Sequence, residues 1–239
     1  MKKISTILVC LTIAVSAFSQ SSSPAFIHAA DNAGYNPFID EYDLSGNRIP
    51  DKSRIQGSPM LNENWGTGSV ILKNGQHFND LNLQFSLEQN QLFFKKDSVV
   101  YLFPSPVLEF LIQFNKDGVD KKVYFKSNYP EIGKHTPDNF YEVINDGPKI
   151  QLLRYLKSKV EDQYVYNQSS KREYTVSEEW YIYDIKNNKI VKINNNEKSL
   201  LKALPNYDAQ ITAAIAQHNY DLKFDKDIVS LVAEINKGQ

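Results

Sequence analysis

The sequence predicts an α+β chain: a mainly antiparallel sheet of about ten strands, curved, sandwich or barrel-like, followed by two to three short C-terminal helices. Three observations predict it. Apolar side chains alternate with period two from Ser69 onward. Turn dipeptides interrupt that pattern about every 8–12 residues. From residue 195 the period changes to 3.6.

The elements follow in order. Val70 and Leu72 alternate up to Asn74-Gly75, a hairpin signal whose two positions favour positive φ. Leu81, Leu83, Phe85 and Leu87 alternate with polar residues, as in a half-buried antiparallel strand. Strands are expected at 92–95, 99–103, 107–114 and 122–126, with Asp117-Gly118 turning between the last two. After a loop carrying Pro130 and Pro137 come 140–144, an Asp146-Gly147-Pro148 turn, and a long strand from Ile150 to about Lys159. Residues 174–176, 179–185 and 189–193 complete the sheet. Asn196 caps a helix over 197–204 with Leu200, Leu201 and Leu204 on one face, stopped by Pro205. A second helix spans 209–217, and Asp225 caps a third, 226–236, striped by Ile228, Leu231, Val232 and Ile235. Helices this short are unstable alone, so they are expected to dock on the sheet.

The predicted organisation is a signal peptide at 1–19, an extended leader at 20–56, an antiparallel β domain at 57–195 and docked helices at 196–239. Lys2 and Lys3 precede an apolar core too short to span a bilayer, and Ala17-Phe18-Ser19 supplies small residues for cleavage between Ser19 and Gln20. Export to the periplasm or the outer-membrane surface is expected, with no transmembrane span in the mature chain. Cys10 lies inside the apolar core rather than at the cleavage point, so the chain is not read as a lipoprotein. The leader is Ser-, Asn- and Pro-rich without periodicity, and Phe26, Tyr35, Phe38 and Tyr42 are expected to rest on the β domain.

Cys10 is the only cysteine, so the mature chain has none, excluding disulfides, thiolate metal sites and cysteine nucleophiles. Without Lys2 and Lys3 the 27 basic residues become 25 against 28 acidic ones, a net charge of about −3. That balance offers no basic face for phosphates, and nucleic-acid binding is excluded.

No catalytic residue, cofactor or metal site is expected. His28, His77, His135 and His218 fall in separate elements, without HExxH or HxH spacing. Ser199-Leu200-Leu201-Lys202 matches Ser-x-x-Lys, but its companion motifs are missing and its leucines belong to the helix face. Asn115 to Asp120 has calcium-loop oxygens but lacks the closing Glu, and a hairpin turn explains it. Glu178 and Glu179 are adjacent on a strand, so they point to opposite faces and cannot flank one glycosidic bond.

The aromatic residues supply the candidate binding surface: Trp65, Trp180, Tyr181 and Tyr183. Alternation puts Trp180 and Ile182 on one face of a strand and Tyr181 and Tyr183 on the other. Two exposed tyrosines would form a sugar or peptide platform; covered by a helix, they are core with their hydroxyls at the rim, which is the favoured reading. Trp65, set among Gly57, Gly66 and Gly68, is read as a structural anchor at the sheet entrance, the glycines turning the chain. Asp97-Ser98-Val99 resembles the Asp-Ser/Thr-aliphatic acceptor motif of periplasmic O-glycosylation, making Ser98 a candidate modification site.

Gly57-Ser58-Pro59, Leu61-Asn62, Trp65, Gly68-Ser69-Val70, Leu72-Lys73-Asn74-Gly75 and Leu81 to Leu87 carry a family resemblance, as do Phe94-Lys95-Lys96-Asp97, Phe110, Phe140-Tyr141-Glu142-Val143 and Lys198-Ser199-Leu200-Leu201. Over about two thirds of the chain they resemble an uncharacterised family of secreted, β-rich envelope proteins of Gram-negative bacteria. The resemblance implies export and a β-then-α order, and no catalytic residues. The expected function is a non-enzymatic envelope protein with a binding or structural accessory role, its partner an envelope protein, a glycan or a lipid. Two alternatives stand beside it. One is a carrier holding a lipid-like ligand between sheet and helices; the other is a glycan-active enzyme or carbohydrate-binding module using dispersed carboxylates.

Overall fold

The structure is a computed structural model describing residues 27–28, 55–163 and 171–237. The signal peptide, the Ser19–Gln20 cleavage point and Phe26, Tyr35, Phe38 and Tyr42 of the leader lie outside the described residues.

The chain forms one open sheet. Its strands are β1 (Ile27–His28), β2 (Ile55–Gln56), β3 (Gly66–Leu72), β4 (His77–Ser86), β5 (Gln91–Lys96) and β6 (Val99–Leu102). They continue with β7 (Val107–Lys116), β8 (Val119–Lys126), β9 (Tyr141–Asp146), β10 (Ile150–Gln163), β11 (Lys171–Asp184) and β12 (Lys189–Ile193). The spatial order is β1-β6-β5-β4-β3-β7-β8-β9-β10-β11-β12, and β2 pairs with β11. All pairs are antiparallel except β2 with β11. The predicted α+β order is therefore present, as one sheet that does not close into a barrel.

Turn chemistry sets the register. Asp97 and Ser98 both have positive φ, as do Asp117 and Gly118, so each pair makes a two-residue turn matching the strand twist. Asn74-Gly75 differs from expectation. Only Gly75 has positive φ, because the turn spans four residues, with Gly75 N–H donating to Leu72 C=O and the Asn74 Oδ1 accepting from Gln76 N–H.

Two further expectations are corrected. Gly66 and Gly68 lie inside β3 rather than in a turn before it. A Cβ on Gly68 would sit 2.0 Å from the Leu111 carbonyl oxygen of β7, so the neighbouring backbone occupies the side-chain space. The predicted strands 174–176 and 179–185 form one strand, β11. Their polar interruption, Ser177-Glu178, continues the β10 pairing opposite Lys157 and Leu156.

The apolar residues sort into three cores. In the β3–β8 half, Leu83, Phe85, Phe110, Ile112 and Phe125 are almost fully buried together with Phe140. The rings of Phe85, Phe110 and Phe125 lie 4.9–5.1 Å apart and Phe140 stands edge-on to Phe85 at 5.8 Å, filling the curve of the sheet. In the other half both faces are covered. Helices α1 (Glu197–Ala203), α2 (Asp208–His218) and α3 (Asp225–Lys237) cover one, burying Leu200, Ile211, Ile228, Leu231 and Ile235 against Ile150, Leu152, Trp180 and Ile182. Residues 127–140 cover the other, over Tyr141, Leu153, Tyr155 and Tyr181.

The helix caps follow the residues predicted for them, with one shift. The Asn196 side chain accepts from Ser199 N–H at 2.9 Å, whereas Asp225 is the first residue of α3 rather than its cap. α3 is locked to the β9–β10 turn by Asn236. Its Oδ1 accepts from Lys149 and Ile150 N–H, and its Nδ2 donates to Asn145 and the Ile150 carbonyl.

Candidate functional site

β10 and β11 run together for 14 residue pairs, but β9 covers only Gln151–Arg154 of one and β12 only Trp180–Asp184 of the other. This ribbon carries Trp180, Tyr181 and Tyr183 of the sequence-predicted aromatics and joins the three cores. Trp180 is buried under the helices, while Tyr181 is buried and Tyr183 half-buried on the opposite face, beneath 127–140. The cover over the tyrosines is a loop rather than a helix. It closes off the platform that alternation had made available.

Between the helix-side core and the phenylalanine core stands Arg154. Its guanidinium bonds Glu142 at 2.8–2.9 Å and Glu178 at 3.2 Å, and lies 5.5 Å from the Trp180 ring centroid. Burial raises the Glu142 carboxyl above its usual range, opposed by Arg154. Glu178 reaches this cluster. Glu179, on the other face, accepts from Tyr181 Oη at 2.7 Å and pairs with Lys192. The bond to Lys192 is the main reason its carboxyl is held below the ordinary range. The two glutamates are thus separated by the sheet.

Under 127–140 the tyrosines gather around His135. Its Nδ1 is 2.7 Å from Tyr141 Oη and its ring centroid 4.1 Å from that of Tyr155. Burial holds this histidine below its ordinary 6.5. Tyr129 donates to Gln151 Oε1 at 2.9 Å, and burial pushes its phenol well above the usual range.

The other candidates are scattered. Trp65 is half-buried just before β3, with Lys95 Nζ 5.9 Å from its ring, so its anchoring is partial. Ser98 is exposed at the β5–β6 turn, the accessibility that modification requires. His218 lies 3.5 Å from Glu234, far along the chain from His135. Asn115 Oδ1 accepts from Gly118 N–H, a hairpin role. Ser199 Oγ accepts from Asn194 N–H at the α1 entrance, a capping role. Among the described residues, no three His, Cys, Asp or Glu side chains cluster to hold a metal ion. Nor is any helix among them long and apolar enough to cross a membrane.

Where the phenylalanine core meets solvent there is an open cleft of about 400 Å³ with Leu92, Phe103 and Phe140 in its wall. Its rim bonds to itself: Asn90 donates to the Asp138 carbonyl and accepts from Phe140 N–H, and Lys73 pairs with Asp138 at 2.8 Å.

Sequence reasoning missed Arg154, Glu142, His135 and Asn236 as a set. Their partners lie 12, 24, 6 and 86 residues away along the chain, spacings that carry no motif. The one signal available was the charged Arg154 between Leu153 and Tyr155 in an apolar strand. Comparison with known proteins returns no match: no family model fits the chain, and no curated protein or solved structure matches it.

Proposed function

We propose that this chain is a non-enzymatic protein of the Gram-negative envelope, exported to the periplasm or to the outer-membrane surface, with a binding or structural accessory role. The carrying observation is that the buried and half-buried ionisable groups along the sheet are occupied by one another. Glu142 is held by Arg154, Glu179 by Tyr181 and Lys192, and His135 by Tyr141. General acid–base chemistry needs such groups aimed at a substrate position. Here they brace strands and a covering loop. The packing of Leu200, Ile211, Ile228, Leu231 and Ile235 against Ile150, Leu152, Trp180 and Ile182 favours surface binding over the carrier reading, because these side chains fill the space between sheet and helices that a lipid-like ligand would take.

Two measurements test this reading. Expressed with residues 1–19, the protein should be recovered from the periplasmic fraction with Gln20 at its N-terminus; recovery from the cytoplasm with Met1 intact refutes export. Glycan turnover by the purified protein that is lost in Glu178→Gln or Glu179→Gln refutes the non-enzymatic role.

A further inference from the structure

We infer that the outer edge of β11, from Thr175 to Glu179, is a docking site for one extended peptide segment of a partner protein, added to the sheet as a strand. The inference rests on the reading of the chain as a binding protein. One edge of β11 is paired with β10 along its whole length. On its other edge, β2 covers Arg172 and Glu173, and β12 covers Trp180 to Asp184. Gly57, at φ +80°, turns the chain away beside Tyr174. Among the described residues nothing pairs with the backbone of Thr175–Glu179 on that side. At about 3.3 Å per residue the gap is roughly 16 Å long, enough for a strand of four or five residues. Val176, the second residue of the gap, is 56% exposed.

The shape of the gap selects its occupant. β2 and β12 stand one strand spacing, about 4.8 Å, beyond the open stretch of β11, so the free edge is recessed between them. A second copy would bring its own β2 and β12 against these flanks before the two edges met. A single thin chain passes between them, and the parallel β2 pairing shows that the same edge accepts an added strand. Val176 also lines a groove of about 310 Å³ together with Phe114 and Leu61, rimmed by Glu63, Asp117 and Lys116. Side chains of an added strand alternate between faces. The groove therefore fits a segment with one apolar side chain flanked on the same face by basic ones. The two rim carboxylates outnumber the single lysine.

The capped peptide Ac-Lys-Thr-Val-Thr-Lys-NH2 places one valine and two lysines on a single face and serves as the probe. Titrated to ~1 mM into isotope-labelled protein, it should shift the amide resonances of Thr175–Glu179 and slow hydrogen exchange at those of the amides that point away from β10. The same peptide N-methylated at its valine, which cannot donate there, should bind at least ~10-fold more weakly. Val176→Lys, an exposed change that leaves the melting temperature in place, should weaken the unmodified peptide by a similar factor. Three results overturn the inference. They are unchanged 175–179 amides at saturating peptide, equal binding of the N-methylated peptide, and concentration-dependent shifts of those amides without peptide, which would mean a second copy fits. Any of these can occur while export holds, since export is read independently from the N-terminal residue.

Discussion

Removing the side chain of Asn236 tests how the helices are fastened to the sheet. This amide bonds Lys149 N–H at 3.1 Å, Ile150 N–H at 3.0 Å and the Ile150 carbonyl at 3.0 Å, and reaches Asn145 Oδ1 at 3.0 Å. Ile150 is fully buried, so in Asn236→Ala its peptide groups lose a partner where water does not replace it easily. A buried group left unsatisfied costs about 1–3 kcal/mol, and partial hydration of the Lys149 end lowers the sum. The expected loss is ~2–4 kcal/mol, a large fraction of a typical domain's 5–15 kcal/mol. For a chain of this size that lowers the melting temperature by roughly 5–15 °C. Circular dichroism melts and urea titrations with unchanged slope would measure it. Gly147→Ala approaches the same contact from the other side, since a Cβ there would stand 1.9 Å from Asn236 Nδ2 and displace the amide. The two substitutions break one contact, so the double variant should cost little more than the worse single one. A loss under ~0.5 kcal/mol for Asn236→Ala, or fully additive losses, would refute the clamp.

Arg154→Met should cost ~3–5 kcal/mol by leaving the Glu142 carboxylate, only 11% exposed, without its partner. Arg154→Met with Glu142→Leu should recover most of that in urea titrations, because no charge is then stranded. Ser158→Ala should be neutral or stabilising by about 1 kcal/mol, since the Ser158 hydroxyl is buried and has no hydrogen-bond partner; a clear loss in the same titration would show that the hydroxyl is satisfied. His135 sets a pH dependence. Its folded pKa lies below 6.5, so the unfolded chain takes up the proton first as pH falls; its contribution is full above about 6.5 and declines below. Glu142, raised by burial, runs the opposite way, which makes the comparison with His135→Asn essential. Between pH 7 and pH 5 the melting temperature should fall more steeply for the parent than for that variant, and parallel plots of melting temperature against pH would remove His135 from the account.

Strand positions were legible wherever one face is buried and the other wet, as in Leu81 to Phe85, because alternation then reads burial directly; Ser86, read as a wet position, is fully buried. The helices were legible from their stripes, and Ile228, Leu231, Val232 and Ile235 are all buried. Reading failed where the backbone of a neighbour, rather than the local chain, chose the residue. Gly66 and Gly68 look like turn glycines in isolation, yet the Gln113 and Leu111 carbonyls across β3–β7 require them. Ser177-Glu178 looks like a break because its polarity answers to solvent, whereas its pairing answers to β10.

The site residues were harder for a related reason. Local periodicity placed Trp180 and Tyr181 on opposite faces of a strand, but no periodicity says what covers each face. The cover over Tyr181 comes from His135 in a proline-bearing loop, and the partner of Trp180 is an arginine two strands' worth of sequence earlier. Both contacts depend on β10 and β11 being one long ribbon, which places Arg154 opposite Trp180 and Tyr155 opposite Glu179. That ribbon also outruns β12, and its overhang leaves the Thr175–Glu179 edge open. The feature that ties the cores together is therefore the feature that exposes a strand edge. Extending β12 over the gap would remove the exposed edge and close the docking site with it.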